Sequence, residues 1–91
     1  MTKPEMIDVI AERTGMKKKD AAVAVDAVLD TIMDTLGKGE EVSLVGFGTF
    51  EVRTRAERMG RNPRTGEQIT IPANQACVFR AGRRMRDAIG S

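Results

Sequence analysis

Tryptophan, tyrosine and histidine are all missing from this chain, and three phenylalanines, Phe47, Phe50 and Phe79, are its only aromatic residues. Without histidine, the side chain best suited to proton transfer and metal ligation near neutral pH is gone. The shortage of large side chains limits the core as well. A chain of 91 residues buries only roughly 60–65 % of its unfolded surface. Burial completed by a partner chain is therefore expected. The single cysteine, Cys77, excludes an internal disulfide framework and fits a reducing compartment. No apolar run approaches the ~20 residues that cross a bilayer. The opening Met1-Thr2-Lys3-Pro4-Glu5-Met6 lacks the apolar centre of a secretion signal. These absences lead to the expectation of one small, soluble, cytosolic domain.

The charge that is present is segregated. Residues 1–51 carry six Lys/Arg against ten Asp/Glu, a net −4, whereas residues 52–91 carry nine Arg against three acids, a net +6. Every basic residue of the second part is arginine, whose planar fork suits phosphate and narrow grooves. A merely solvated basic surface is the plain alternative.

The hydrophobic period divides the chain. Thr2-Lys3-Pro4-Glu5 is a helix start, with Thr2 as cap, Glu5 completing a capping box and Pro4 tolerated in the first turn. Met6, Ile7, Ile10 and Ala11 form an apolar stripe, and Gly15 is a stop. A second helix is predicted from about Lys18 to Leu36, its stripe formed by Ala21, Val25, Val28, Leu29, Ile32 and Leu36. Asp26, Asp30 and Asp34 line another face; no ligands converge on them from elsewhere, so they read as a solvated row rather than a metal site. After Gly37-Lys38-Gly39-Glu40 the period becomes two. Val42 and Leu44 alternate with Glu41 and Ser43, and Gly46-Phe47-Gly48 reverses the chain. In the next strand Phe50 and Val52 are expected inside and Thr49, Glu51, Arg53 and Arg55 outside. Pairing is expected to resume at Gln68–Ile71 and to run through Arg80, with Cys77 and Phe79 on one face and Val78 and Arg80 on the other. A last helix, Arg83–Ile89, is expected to turn Met85, Ala88 and Ile89 inward.

Residues 46–66 are the most informative stretch. Five arginines, at 53, 55, 58, 61 and 64, lead to the tip Asn62-Pro63-Arg64-Thr65-Gly66. From Arg55 to Pro63 is roughly 26 Å at about 3.3 Å per residue, too long for so small a body to support. Residues 56–68 offer only Met59 as a sizeable apolar side chain. Two readings stand: a floppy surface loop, or an arm that orders on DNA. A β-ribbon can follow a groove, and apolar wedges that include proline enter the minor groove. Pro63 also suits the second position of the turn Asn62–Thr65. The two roles are compatible.

The segment Gly46–Thr65 resembles the signature of the HU/IHF family of bacterial histone-like DNA-bending proteins. The resemblance rests on Phe47, Phe50, Arg55, Arg58, Gly60, Asn62, Pro63 and Thr65 in register, and it extends over essentially the whole chain. It implies an α+β fold: two N-terminal helices, a three-stranded antiparallel sheet with a long β-ribbon arm, a short C-terminal helix, and an intertwined dimer. In that reading residues 1–37 are a helical dimerisation base, 41–81 the sheet with its arm at about 55–74, and 83–90 the last helix. Two arms embrace the minor groove of double-stranded DNA, and a proline, by position Pro63, intercalates. Carried over to this sequence, Arg55, Arg58 and Arg61 line the arm, with Asn62, Arg64 and Thr65 at its tip. Lys3, Arg53, Arg80, Arg83 and Arg86 match basic positions of the saddle and its flanks, and the Gly46 and Gly48 backbone can approach phosphates. Phe47, Phe50 and Phe79 are expected at the dimer core. The chain departs from the family at Lys17, where a serine cap is frequent, and at Cys77 and Ala81, where proline is.

The function implied is bending and compaction of duplex DNA with little sequence preference, by a nucleoid-associated cytoplasmic homodimer of the HU type. An IHF-type subunit of a site-preferring heterodimer is the alternative, and a basic oligomerisation module that binds RNA or protein is a third reading. A phosphoryl-transfer enzyme finds no support: there is no histidine, no phosphate-cradling loop before a helix and no convergent acid–base pair. No catalytic residue, metal, cofactor, small-molecule substrate or membrane is expected.

Overall fold

A computed structural model describes residues 1–90. The chain forms two compact units, one spanning Met1–Thr35 and the other starting at Leu36.

The first unit is helical. Helix α1 runs Lys3–Thr14. The Thr2 hydroxyl accepts from the Glu5 N–H at 3.4 Å and donates to Glu5 Oε1 at 3.0 Å, so cap and third-position acid hold each other. Gly15 closes the helix at φ 74°, and its N–H donates to the Ala11 carbonyl at 2.9 Å. Helix α2 runs Lys18–Gly37. Its first turn is tied by the Ala21 N–H to the Lys17 carbonyl at 2.9 Å. Ion pairs Lys3–Asp26 and Lys18–Asp8 (3.3 Å) join the helices.

The expected stripes exist, but one chain does not cover them. Ala11, Ala21 and Val25 are the buried apolar residues of the described chain. Val28 is 58 % exposed and Met6, Leu29 and Met33 are also open. Met6, Ile10, Ala24, Val25, Val28 and Leu29 line an apolar hollow.

The second unit is a sheet and its extension. Strands β1 (Val42–Leu44), β2 (Gly48–Arg55) and β5 (Asn74–Ala81) form an antiparallel sheet with β2 in the centre. Strands β3 (Arg58–Arg61) and β4 (Gln68–Ile71) form a second, two-stranded ladder. Arg55 pairs with Asn74 at the end of the first ladder, and Arg58 with Ile71 at the start of the next. Two residues interrupt each strand, Ala56-Glu57 on one and Pro72-Ala73 on the other. The register therefore passes through with no extra residue and no bulge. Pro72 has no N–H to give, which accounts for a break at that level.

The corner where β1 turns into β2 is packed on glycine. Gly46 lies at φ 79°, and its carbonyl accepts from the Met85 N–H at 3.3 Å. Phe47 O accepts from the Gly82 N–H at 2.7 Å. A methyl group on Gly82 would stand 2.7 Å from the Gly46 carbonyl, and one on Gly48 would stand 2.7 Å from the Arg80 carbonyl. Helix α3 then runs Arg83–Ala88. Met85 is half-buried, but Ala88 is exposed and Ile89 is 70 % exposed, so the inward placement expected for those two does not hold in the single chain. Helix α3 stops at Ala88, and Ile89 is its C-terminal cap rather than part of its last turn.

Candidate nucleic-acid interface

The sheet has two unlike faces. Direct pairs share a face: Phe50 with Phe79, Val52 with Cys77, Val42 with Phe50 and Leu44 with Gly48 make one of them apolar. Phe79 stands between the other two rings, 4.7 Å from Phe50 and 5.8 Å edge-on from Phe47. The three phenylalanines thus cluster, yet Phe47 is 48 % and Phe79 38 % exposed. Opposite them lie Ser43 with Thr49, Thr49 with Arg80, Arg53 with Ala76 and Arg55 with Asn74. This is the arginine face. The Thr49 hydroxyl donates to Ser43 Oγ at 3.3 Å there.

Glu51 stands among these arginines. Its Oε1 accepts from Arg53 Nε at 3.1 Å and from Nη2 at 2.7 Å, and lies 3.5 Å from Arg80 Nε. Sequence reading placed Glu51 simply on the outer face. The contact with Arg80 needed the β2–β5 register to be seen.

The arm carries the remaining charge outward. Gly60 lies opposite Ile69, and a methyl group on it would meet Ile71 Cδ1 at 2.7 Å. The bare glycine lets the two isoleucines lie across the ribbon, a small apolar patch that residues 56–68 alone did not reveal. On the other face Met59 pairs with Thr70 and Arg61 with Gln68. The tip closes through five residues. The Gly66 N–H donates to Asn62 O at 2.7 Å, the Asn62 N–H donates to Glu67 O at 2.8 Å, and Gly66 adopts φ 75°. Asn62 Oδ1 accepts from the Arg64 N–H at 2.8 Å, a side-chain turn that fixes the loop around Pro63. Pro63 itself is exposed at the outermost bend, with Arg64 and Thr65 beside it.

The anticipated residues therefore fall into groups. Arg53 and Arg80 both face Glu51 on the sheet. Arg55, Arg58, Arg61, Asn62, Pro63, Arg64 and Thr65 follow the arm. Arg83 and Arg86 are exposed on α3. Lys3 belongs to the helical unit. Its hydrogen bond to Asp26 and that carboxylate's opposite charge hold its ammonium above the usual pKa. Gly48 is buried and Gly46 carries the corner turn, so both glycines have a packing reason of their own. Arg84, not anticipated, lies along Gly46: a methyl group there would meet Arg84 Cδ at 2.7 Å.

Residues 1–90 match the family described as bacterial DNA-binding protein. The chain belongs to the HU/IHF family of bacterial DNA-binding proteins. It is 53 % identical to DNA-binding protein HU of Geobacillus stearothermophilus over 89 residues, 98 % of this chain and 99 % of that protein. It is 51 % identical to DNA-binding protein HU 1 of Bacillus subtilis, with 98 % and 97 % covered. A solved Anabaena HU–DNA cocrystal structure superposes with a TM-score of 0.89 at 43 % identity, covering 98 % of this chain and 97 % of that one. HU from Thermotoga maritima gives 0.69 at 31 % identity, with 98 % of each chain covered. Of the residues that carry the HU/IHF resemblance, Phe47 sits in the turn before β2, and Phe50, Arg55, Arg58, Gly60, Asn62, Pro63 and Thr65 lie along one continuous hairpin. Among the described residues no group of His, Cys, Asp and Glu could hold a metal ion, and no helix is long and apolar enough to cross a membrane.

Proposed function

We propose that this chain acts as a histone-like architectural protein that bends and compacts duplex DNA with little sequence preference and catalyses no reaction. One observation carries the reading: an arginine-lined ribbon, Arg55 to Arg64, that ends in an exposed, pre-folded turn around Pro63. Phosphate contacts from the arm supply affinity. Pro63 is rigid, apolar and without an N–H, and it acts as the wedge that unstacks a base step in the minor groove. Arg53, Arg80, Arg83, Arg86 and Lys3 guide the flanking DNA. Within the second unit, backbone approach at Gly46 and Gly48 accompanies Arg80 and Arg86. DNA as the partner sets a nucleoid-associated, cytoplasmic location.

The working unit is a homodimer. A core of two alanines and one valine cannot stabilise a chain of this size. The open helix stripe at Val28 and Leu29 and the half-exposed Phe47–Phe50–Phe79 cluster are surfaces that a second copy covers. No stable folded monomer is expected.

The test separates wedge from glue on one end-labelled duplex. For duplex DNA, log K falls with log salt by about 0.9 per neutralised phosphate. Arg61→Gln should flatten that slope by about one unit per lost contact, twice in a dimer. Pro63→Ala should leave the slope in place and reduce the bend read by energy transfer. A Pro63→Ala protein that bends DNA as well as the parent would reduce Pro63 to a turn residue.

A further inference from the structure

Glu51 is the one acid on the arginine face of the three-stranded sheet. Its side chain is only 19 % exposed, while those of Arg53 and Arg80 are 58 % and 62 % exposed. A single carboxylate oxygen, Oε1, takes both N–H groups along one edge of the Arg53 guanidinium and also faces Arg80 Nε. That Nε–Nη2 edge is the fork with which arginine meets two oxygens of a phosphate. It cannot serve carboxylate and phosphate at once. Among the described residues, Arg55, Arg58, Arg61 and Arg64 make no ion pair. The arm is therefore open to phosphate from the outset, whereas on the sheet one edge of Arg53 is already taken and Arg80 faces the same carboxylate.

We propose that Glu51 is a built-in counter-ion that occupies Arg53 and Arg80 until a phosphate of the DNA backbone displaces it. On this account Glu51 weakens the sheet's hold on DNA relative to the arm's. The inference rests on the duplex-binding reading above. The hold is suited to exchange. Both Arg53 N–H groups converge on one oxygen instead of spreading over two, and Arg80 sits at 3.5 Å, near the outer limit of a hydrogen bond. A phosphate offers two oxygens in the forked arrangement. The carboxylate, already tethered beside the guanidiniums, competes without any loss of free translation.

The experiment is a four-protein cycle on one duplex at fixed low salt: the parent, Glu51→Gln, Arg53→Gln and the double variant. Affinity is read by fluorescence anisotropy, with a melting curve for each protein. Glutamine keeps the shape of the side chain and removes its charge. Glu51→Gln should bind roughly twofold to fivefold tighter than the parent, and Arg53→Gln should cost more affinity in the Gln background than in the parent. A purely structural Glu51 predicts weaker binding for Glu51→Gln. The proposal is overturned if Glu51→Gln binds no tighter, or if the cost of Arg53→Gln is not larger in the Gln background. A parent that binds no duplex overturns both this proposal and the functional reading. A parent that binds duplex while the cycle fails overturns only this one.

Discussion

The inner and outer halves of one hairpin, β2–β5 and β3–β4, share a register and differ in almost everything else. The inner half is flanked by β1 and backed by three rings in contact, with glycines at a corner where no methyl group fits. The outer half is two strands wide, and its apolar patch is two isoleucines laid over Gly60. A two-stranded ribbon of this kind is marginal in water. The inner half thus draws its order from packing, whereas the outer half has little packing beyond its own ladder. The same backbone pairing runs through a packed half at one end and a thinly packed, arginine-lined half at the other.

The largest expected effect breaks the inner half. Phe79 touches both other rings, so Phe79→Ala should destabilise the assembled protein by about 3–5 kcal/mol. Denaturant titration together with sedimentation should show loss of the dimer and of native helicity at the same concentration. A well-folded Phe79→Ala monomer would remove the basis for placing the cluster at an interface.

Two glycines sharpen the contrast at intermediate size. In Gly48→Ala the new methyl group would meet the Arg80 carbonyl, which belongs to the backbone and cannot step aside. A loss of about 1–3 kcal/mol is expected. In Gly60→Ala the obstacle is Ile71 Cδ1, the far end of a flexible side chain. Its effect should stay within about 0.5 kcal/mol. Equal melting shifts for the two variants would contradict the division between packed and unpacked halves.

The smallest effect is local. Few apolar contacts offset chain entropy in the arm. A trypsin-like protease should cut the free protein at Arg58–Arg64 at least about tenfold faster than at Arg53 or Arg80, and added duplex should remove that difference. Cleavage of the arm at the same rate with and without DNA would show that the grip does not order it.

Much of this contrast was legible in the sequence. Thr2, Gly15 and the change from a helical period to alternation located the helices and strands, because caps and turns act within a few residues. The alternation Thr49–Arg55 told which side chains share a face for the same reason. What was not legible depends on pairing between distant positions. The Glu51–Arg80 contact joins residues on two strands, and the fit of Ile71 over Gly60 needs both sides of the arm. The packing reason for Gly48 likewise lies in Arg80 and Phe79. The openness of Val28 and Leu29 was hidden because a periodic stripe states which face is apolar and not what covers it. Ile89 was misjudged because a helix end six residues from its start leaves little periodicity to read.

The matched gap at Ala56-Glu57 and Pro72-Ala73 gives the hairpin a rule for changing length. A single residue added to one strand there would throw the outer pairs out of step with the inner ones. A residue added to both strands would restore the pairs but turn the outer ribbon over, sending Arg61 to the side that Arg58 now occupies. Two residues added to each strand would keep both the pairing and the facing. The reach of the arm can therefore be adjusted only in pairs of rungs, so the distance from sheet to tip comes in discrete steps rather than by gradual drift.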